Sequence, residues 1–254
     1  TERRKISEWL EKFHSKIQEI SVSWLTSMPV KQQQQRESFT TQVVSTRWEQ
    51  NIMMQDSITG VDQAREILGS EVTDDEIKHI KELLGESAKK FSKAWRVTNN
   101  KTQKRFDDFI ANENITDIKE LWHGSRNENW WSIIKTGLKL KPTNVIITGK
   151  LYGMGTYFAP KARKSIGYTS LSGSYWAGGN ASYGFMALMD VAYGTPYDVY
   201  DFDSRYHRMD YDLLQTFKPG ANCLHAHAGA SMGYSALRND EIVIYKEEQC
   251  TIKY

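Results

Sequence analysis

Cysteine is scarce in this chain, which has only Cys223 and Cys250 among its 254 residues. Two cysteines are too few for the disulfide framework that stabilises small secreted domains. We therefore expect a reducing, intracellular setting. This would be the cytoplasm for a bacterial source, with the nucleus as the alternative for a eukaryotic one.

An excess of charge of either sign is also missing. Lys and Arg number 33 and Asp and Glu number 31, so the formal net charge is +2. This excludes the general basic field typical of nucleic-acid-binding proteins, so such binding would have to come from flanking domains. The sequence begins at Thr1 without an apolar leader, and we expect it to be a fragment of a longer protein.

Long apolar runs are absent as well, because no stretch of 18 apolar residues occurs. We therefore expect no membrane span and no membrane partner. Aromatic residues, by contrast, are plentiful, with 8 Trp, 13 Tyr and 9 Phe. Most of them are expected in the core, and a few should line a pocket for flat rings.

Residues 1–90 are predicted to form a helical N-terminal region. An apolar stripe defines its first helix, which Met28-Pro29 ends, and further helical stretches are predicted at about 36–56 and 62–68. The stripe consists of Ile6, Trp9, Leu10, Phe13, Ile17 and Ile20. The region could act as a scaffold or as a regulatory lid, and base rates favour the scaffold.

The last helix of this region has clear start and stop signals. Thr73-Asp-Asp-Glu76 has the spacing of a capping box, and Gly85 is a suitable C-terminal stop. Between them lies an apolar face of Ile77, Ile80, Leu83 and Leu84.

From about residue 91 the pattern changes to short segments rich in strand-forming residues. Segments 94–97 and 120–123 are predicted as strands, and 249–254 as the last strand. Helices are predicted around 106–110 and 130–134. This arrangement predicts an α+β fold with a mostly antiparallel, split sheet.

The second of these helices has candidate boundary residues. Ser125 or Asn127 is expected to cap its N-terminus, and Gly137 to end it. This helix would directly follow a His-Gly-Ser turn.

Three residues with chemically useful side chains, His123, Tyr157 and Glu241, lie on separate segments. His123 is framed by Leu-Trp and Gly-Ser-Arg, and Tyr157 follows Gly-Met-Gly-Thr and precedes Phe-Ala. Glu241 precedes Ile-Val-Ile-Tyr, which is typical of a buried strand. Ser165 and Tyr168 follow shortly after the second segment.

Over roughly residues 91–254 this pattern resembles the catalytic domain of the poly(ADP-ribose) polymerase family of ADP-ribosyltransferases. The segments before residue 91 look more like those of its bacterial-type homologues. The resemblance implies a split antiparallel ADP-ribosyltransferase core at 91–254, with NAD as substrate and no metal. It implies transfer of ADP-ribose to protein acceptors, including the protein itself, with nicotinamide release and extension of poly(ADP-ribose) chains.

The resemblance also assigns the residues that hold NAD. His123 would bond the adenine-side ribose, with Ser125 and Ser132 near the adenosine half. Lys139 would lie near the pyrophosphate, although a lone lysine is more often a solvated surface charge. The backbone of Gly124 would pair with the nicotinamide carboxamide, where a side chain would block close approach.

On the nicotinamide side, Tyr157 would pack against the ribose and Tyr168 would stack on the nicotinamide ring. Ser165 would bond the carboxamide oxygen, and its spacing to Tyr168 predicts that both share one helical face. This implies a pocket built from one strand and the helix after it.

Glu241, His123 and Tyr157 are the expected catalytic residues. By resemblance, Glu241 bonds the 2′-hydroxyl of the nicotinamide ribose and stabilises the developing cation, whereas Asp240 should face the other side of the strand. Lys164 matches a family lysine beside the acceptor site. An equally supported interpretation is that Lys164 is a solvated residue on the surface of its helix. The glutamate permits chain extension without proving it.

Two other classes of function stay open. One is an inactive relative that binds NAD or ADP-ribose as a scaffold, and the other is a toxin-like mono-ADP-ribosyltransferase. The intact His123, Tyr157 and Glu241 argue against the first. The spacing from Tyr157 to Tyr168 fits the poly(ADP-ribose) polymerase pattern better than the second.

One further pattern, Cys223-x-His225-x-His227, raises the question of zinc. Alternate residues of a strand share one face, so the three side chains could converge. No clear fourth ligand accompanies them. We therefore expect no metal here, and interpret the segment as a strand whose polar residues face a groove.

Overall fold

A computed structural model describes residues 72–140, 151–233 and 235–254. The helices predicted at 6–20, 36–56 and 62–68 lie outside these residues, as does most of the loop between Leu140 and Leu151. The description therefore begins just before the predicted capping box.

Helix α1 (Asp74–Leu84) confirms the capping box and the glycine stop. The side chain of Thr73 accepts a hydrogen bond from the backbone N–H of Glu76, and the Glu76 carboxylate accepts one from the backbone N–H of Thr73. Gly85 ends the helix at φ 54°, a conformation that favours glycine. The residues that α1 buries are Ile80 and Leu84.

Seven strands form two sheets in the described part of the chain. One sheet has the order β1-β3-β7 and is antiparallel, and the other has the order β2-β6-β5-β4, in which only β4 and β5 are parallel. The strands are β1 Ile118–Gly124, β2 Thr156–Phe158, β3 Met186–Ala192, β4 Pro196–Val199, β5 Cys223–Ala226, β6 Glu241–Ile244 and β7 Cys250–Ile252. This confirms the α+β class and the split, mostly antiparallel sheet.

The described residues also contain four more α-helices and several 3₁₀ segments, which precede or connect these strands. The helices are α2 Asn100–Asn112, α3 Trp130–Thr136, α4 Ala162–Ile166 and α5 Tyr211–Phe217. The 3₁₀ segments are Gly85–Lys90, Asn127–Asn129, Ser204–Arg208 and Glu247–Gln249. Of the helices described, none combines the length and the apolar composition needed to cross a bilayer.

Two local predictions were wrong. Segment 94–97 is not a strand, and it joins the fold through a hydrogen bond from the Val97 N–H to the carbonyl of Lys253. Neither Ser125 nor Asn127 caps α3, because a 3₁₀ turn fills that place and Asn129 precedes α3 without a capping side chain. Gly137 does end α3, at φ 79°.

A backbone bridge between Trp122 and Ala159 joins the two sheets where the site lies. Trp122 and Ala159 exchange hydrogen bonds of 2.9 and 3.0 Å, which ties β1 to the end of β2. Residues of both sheets share one buried apolar cluster, which includes Leu121, Met189, Ile252, Phe158 and Ile242. This packing fixes the end of β1 against β2 and β6.

Candidate active site

His123, near the end of β1, is held by the neighbouring strand β2. Its Nδ1 lies 3.0 Å from the carbonyl oxygen of Tyr157, which can only accept, so Nδ1 carries the hydrogen. Burial lowers the pKa of His123, and the bond to Tyr157 opposes this shift only in part. The ring is therefore neutral at pH 7, and its Nε2 is an acceptor that suits a ribose hydroxyl.

Gly124 is required by the close approach of α4. A Cβ atom at this position would lie 1.9 Å from the carbonyl oxygen of Ser165 and 2.8 Å from its carbonyl carbon. Both obstacles are backbone atoms, so no side-chain rotation relieves the clash. The glycine therefore allows helix α4 to pack directly on the end of β1.

Ser165 is buried and bonded within the protein. Its Oγ donates a 3.0 Å hydrogen bond to the carbonyl of Trp122, so α4 is fixed to β1 at this point. A bond from the same hydroxyl to a carboxamide oxygen would require it to leave Trp122. Its position beside Gly124 agrees with the predicted pocket, whereas its hydroxyl is already engaged.

Three residues predicted for the adenosine and pyrophosphate side differ in their placement. Ser125 follows β1 directly, where its Oγ accepts from Asn129 and its carbonyl accepts from the Trp130 indole. Ser132 is exposed on α3. Lys139 forms a 2.6 Å ion pair with Glu247, beyond the carboxyl end of β6 and thus at the opposite end of that strand from Glu241.

Tyr157 and Glu241 lie on the same face of the four-stranded sheet. Tyr157 pairs with Val243 in antiparallel register, and Glu241 precedes Val243 by two residues, which makes them diagonal neighbours. The Tyr157 hydroxyl donates to the carbonyl of Gly153 at 2.9 Å and accepts from the backbone N–H of Tyr152 at 3.0 Å. Burial, with Glu241 nearby, raises the pKa of Tyr157, so the phenol stays protonated.

Tyr168 lies beyond the end of α4, not on its last turn. The helix stops at Ile166, so the expected shared helical face with Ser165 was wrong. The ring stacks on Trp176, with centroids 6.2 Å apart and planes 19° apart. Burial and the charge of Glu241 raise the pKa of Tyr168, which places this phenol within electrostatic reach of the carboxylate.

Glu241 is buried at the start of β6 and is paired with Lys164 of α4. The Lys164 Nζ lies 2.9 Å from Glu241 Oε1, and the two side chains are 11% and 8% exposed. Burial raises the pKa of Glu241, and the Lys164 ammonium partly opposes the shift. Lys164 is therefore not the solvated helix residue of the alternative reading.

Arg163 is a residue of this site that the sequence did not single out. Its guanidinium reaches Asn239 Oδ1 with Nε at 3.1 Å and Nη2 at 3.0 Å. Lys164 Nζ lies 3.4 Å from the carbonyls of both Asn239 and Asp240. Two consecutive basic residues of α4 thus hold the segment that leads into Glu241, and their adjacency was the available signal.

The uncharged imidazole of His123, the protonated phenol of Tyr157 and the buried carboxylate of Glu241 lie on β1, β2 and β6, and the protonated phenol of Tyr168 lies in the loop after α4. A carboxylate kept from water stabilises positive charge that develops beside it more strongly than a solvated one. A neutral His123 adds a hydrogen-bond acceptor without adding charge. The site is therefore suited to binding a polyhydroxylated substrate and to stabilising a cation.

Two comparisons with known proteins match most of this chain. A family model for the poly(ADP-ribose) polymerase catalytic domain matches residues 74–254. A poly(ADP-ribose) polymerase-like protein of Invertebrate iridescent virus 6 is 32% identical over 184 residues, which cover 70% of this chain and 91% of the relative.

Cellular relatives match over shorter stretches. Poly(ADP-ribose) polymerase 2 of Arabidopsis thaliana is 37% identical over 90 residues, or 35% of this chain. The protein of the same name from Homo sapiens is 39% identical over 82 residues, or 32% of this chain. In both cases the match covers only 13% of the relative.

Proposed function

This chain belongs to the poly(ADP-ribose) polymerase family, and we propose that it transfers ADP-ribose to proteins, including itself, and extends poly(ADP-ribose) chains. The family establishes an NAD⁺ ADP-ribosyltransferase with NAD as its substrate. The observation that carries the finer proposal is the buried Glu241 carboxylate, ion-paired with Lys164 and on the same sheet face as Tyr157. The two buried free thiols suit an intracellular setting.

NAD would bind with its adenosine half beside His123 and Ser125. The neutral His123 would accept a hydrogen bond from a ribose hydroxyl through Nε2, and Ser125 lies in the turn directly after β1. Lys139 and Ser132 have less support, since one is paired with Glu247 and the other is exposed. We keep Ser132 as an outer contact of the adenosine half and Lys139 as an outer contact of the pyrophosphate.

The nicotinamide half would lie near Gly124, Tyr157 and Tyr168. Gly124 leaves room for the carboxamide, and Ser165 would bond its oxygen after giving up the Trp122 carbonyl. Tyr168 would stack on the ring and Tyr157 would cover the ribose. Both phenols stay protonated near Glu241, so neither adds a second negative charge.

The chemical step breaks the glycosidic bond between nicotinamide and its ribose. The bonding electrons leave with the nicotinamide nitrogen, and positive charge develops on the ribose. Glu241 would accept a hydrogen bond from the ribose 2′-hydroxyl and stabilise this cation. An acceptor oxygen on the far face then forms the new bond, and its proton, if it carries one, passes to solvent.

Chain extension requires that a ribose hydroxyl of ADP-ribose can itself be the acceptor. Such a hydroxyl must be oriented and relieved of its proton, and Glu241 is the carboxylate placed to do this. Lys164 lies beside Glu241, at the start of β6, and would position the incoming ribose hydroxyl. These two residues support polymer formation over single transfer.

Labelled NAD tests the proposal directly. Wild-type protein is incubated with a longer, mass-shifted Glu241→Gln chain as acceptor, and the products are separated on a denaturing gel. A smear on both bands would support polymer formation and transfer between molecules. A single sharp shift would contradict chain extension. Measurable NAD binding without any label would instead favour the inactive binding module.

A further inference from the structure

Asp198, His225 and His227 form a cluster on the opposite side of the four-stranded sheet from Glu241. His225 pairs with Ile242 across β5 and β6, whereas Glu241 pairs with Ala226, so His225 and Glu241 face opposite sides. Asp198 is the parallel partner of His225 on β4. One ligand atom from each of the three residues lies within 4.8 Å of the other two.

We propose that Asp198, His225 and His227 bind a zinc ion that serves structure, not catalysis. Two imidazoles and a carboxylate form a donor set that zinc prefers and that magnesium and calcium do not. Cys223, the first member of the Cys-x-His-x-His pattern, is not a ligand. Its thiol is fully buried and contacts the carbonyl of Tyr193 at 3.3 Å.

The residues around His225 have the arrangement of a second coordination shell. The Tyr193 hydroxyl lies 2.7 Å from His225 Nδ1, and can accept its hydrogen and leave Nε2 free to ligate. On the Nε2 side, Asp240 Oδ2 lies 3.3 Å away, and the other oxygen of this carboxylate accepts from the Ala228 N–H at 2.8 Å. Asp240 therefore lies beside His225, outside the three-residue cluster, and would be the fourth ligand.

Zinc binding would require one side chain to turn. The imidazoles of His225 and His227 are stacked, with centroids 4.0 Å apart and planes 21° apart, so their lone pairs run in nearly parallel planes. His227 lies just after β5 and is partly exposed, and turning its ring would break its 2.7 Å hydrogen bond to Asp198 and its stack on Tyr200. Ligand atoms would then approach to about 3.3 Å from one another, as tetrahedral zinc requires.

The ion would hold together the two ends of the segment between β5 and β6, which precedes Glu241. His227 and Asp240 stand at the two ends of the connection between β5 and β6, and Asp198 belongs to β4. A zinc ion on these residues would tie both ends of that connection to the sheet. It would also place positive charge beside the carboxylates of Asp198 and Asp240.

Zinc titration of tag-free, chelator-treated protein tests the proposal without reference to NAD. Isothermal calorimetry should show one zinc per chain, and cobalt should give the intense visible absorption of a four-coordinate site. Asp198→Asn and His227→Asn should each weaken zinc binding at least tenfold. Tyr193→Phe should weaken it by about 10- to 100-fold, the range for outer-shell partners.

Two controls separate this site from other zinc ligands. His207→Asn removes an exposed histidine outside the cluster, and Cys223→Ser removes the thiol of the sequence pattern. Both should leave zinc binding unchanged, and circular dichroism verifies that every variant is folded. Absence of stoichiometric zinc binding, or binding that survives His227→Asn, would overturn the proposal while leaving ADP-ribose transfer untouched.

Discussion

The ammonium of Lys164 lies 2.9 Å from the carboxylate of Glu241, and both side chains are almost completely buried. These residues come from α4 and β6, which the sheet register brings together. Removing one partner of such a pair leaves an uncompensated buried charge and destabilises a protein by about 3–5 kcal/mol. The pair therefore affects both the stability of the protein and the protonation state of Glu241.

Lys164→Met should move the acid limb of the pH–activity profile to higher pH. Burial already raises the pKa of Glu241, and Lys164 is the group that opposes it, so its loss raises the pKa further. Transfer needs the carboxylate form, so more of the enzyme becomes inactive at a given acidic pH. Measuring kcat/KM for NAD from pH 5 to 9 checks this, with the exposed Lys161→Met as control. An unmoved acid limb would contradict the role given to Lys164.

Arg163→Ala should lower kcat about two- to tenfold with little change in KM for NAD. The guanidinium holds Asn239, two residues before Glu241, and the loss of a net hydrogen-bond contribution of about 0.5–1.5 kcal/mol corresponds to that range. Arg208→Ala, an exposed arginine elsewhere, is the matched control. A rise in KM at constant kcat would show that Arg163 contacts NAD instead.

Gly124→Ala should abolish transfer and lower the unfolding temperature. Its Cβ would lie 1.9 Å from a backbone oxygen of Ser165, so α4 has to move away from β1. Overpacking of this kind costs about 1–3 kcal/mol. Gly220→Ala is a useful comparison, because it has open space but φ 79°. Gly220→Ala should lose stability through backbone strain but keep NAD binding. An equal loss of NAD binding in both variants would contradict the steric explanation for Gly124→Ala.

Glu76 should make stability depend on pH below about 4.5. Hydrogen bonds from Tyr254, from the Thr73 N–H and from Arg96 lower the pKa of Glu76 from 4.5 to about 2. A carboxyl group with a lowered pKa stabilises the folded state above its unfolded value, and the contribution disappears as pH falls towards 2. The stability difference between wild type and Glu76→Gln should therefore be largest at pH 6 and shrink by pH 3.

Urea unfolding at both pH values measures that difference. Glu82→Gln, on the exposed side of the same helix, should show no comparable trend. Tyr254→Phe should reproduce part of the Glu76→Gln effect, since the tyrosine hydroxyl is the largest cause of the shift. A constant difference across the pH range would contradict the account.

The sequence predicted those features that depend on local chemistry. The capping box at Thr73, the glycine stops and the apolar run after Glu241 each act within a few residues, and all three were confirmed. Segment 94–97 has the composition of a strand, but it forms no continuous ladder with a neighbouring strand, although the Val97 N–H donates to the carbonyl of Lys253. Composition cannot tell whether a neighbouring strand is within reach.

Features that depend on register were not predictable. The Lys164–Glu241 pair requires the antiparallel alignment of β2 and β6, and the Asp198–His225 neighbourhood requires a parallel pairing made through α5. The Cys223-x-His225-x-His227 pattern therefore gave no indication that Asp198, and not Cys223, lies beside the two histidines. The sequence likewise did not indicate that Trp176 stacks on Tyr168, because this contact depends on how the loop after α4 folds back.

The most direct test of the central claim compares NAD binding with ADP-ribose transfer in Glu241→Gln. Transfer should fall on the order of 10²–10³-fold. NAD affinity should change no more than a few-fold, because the amide keeps the shape of the carboxylate and His123 and Tyr168 are intact. The exposed Glu86→Gln should match wild type in both assays. Full transfer by Glu241→Gln would contradict the claim that this carboxylate stabilises the developing cation.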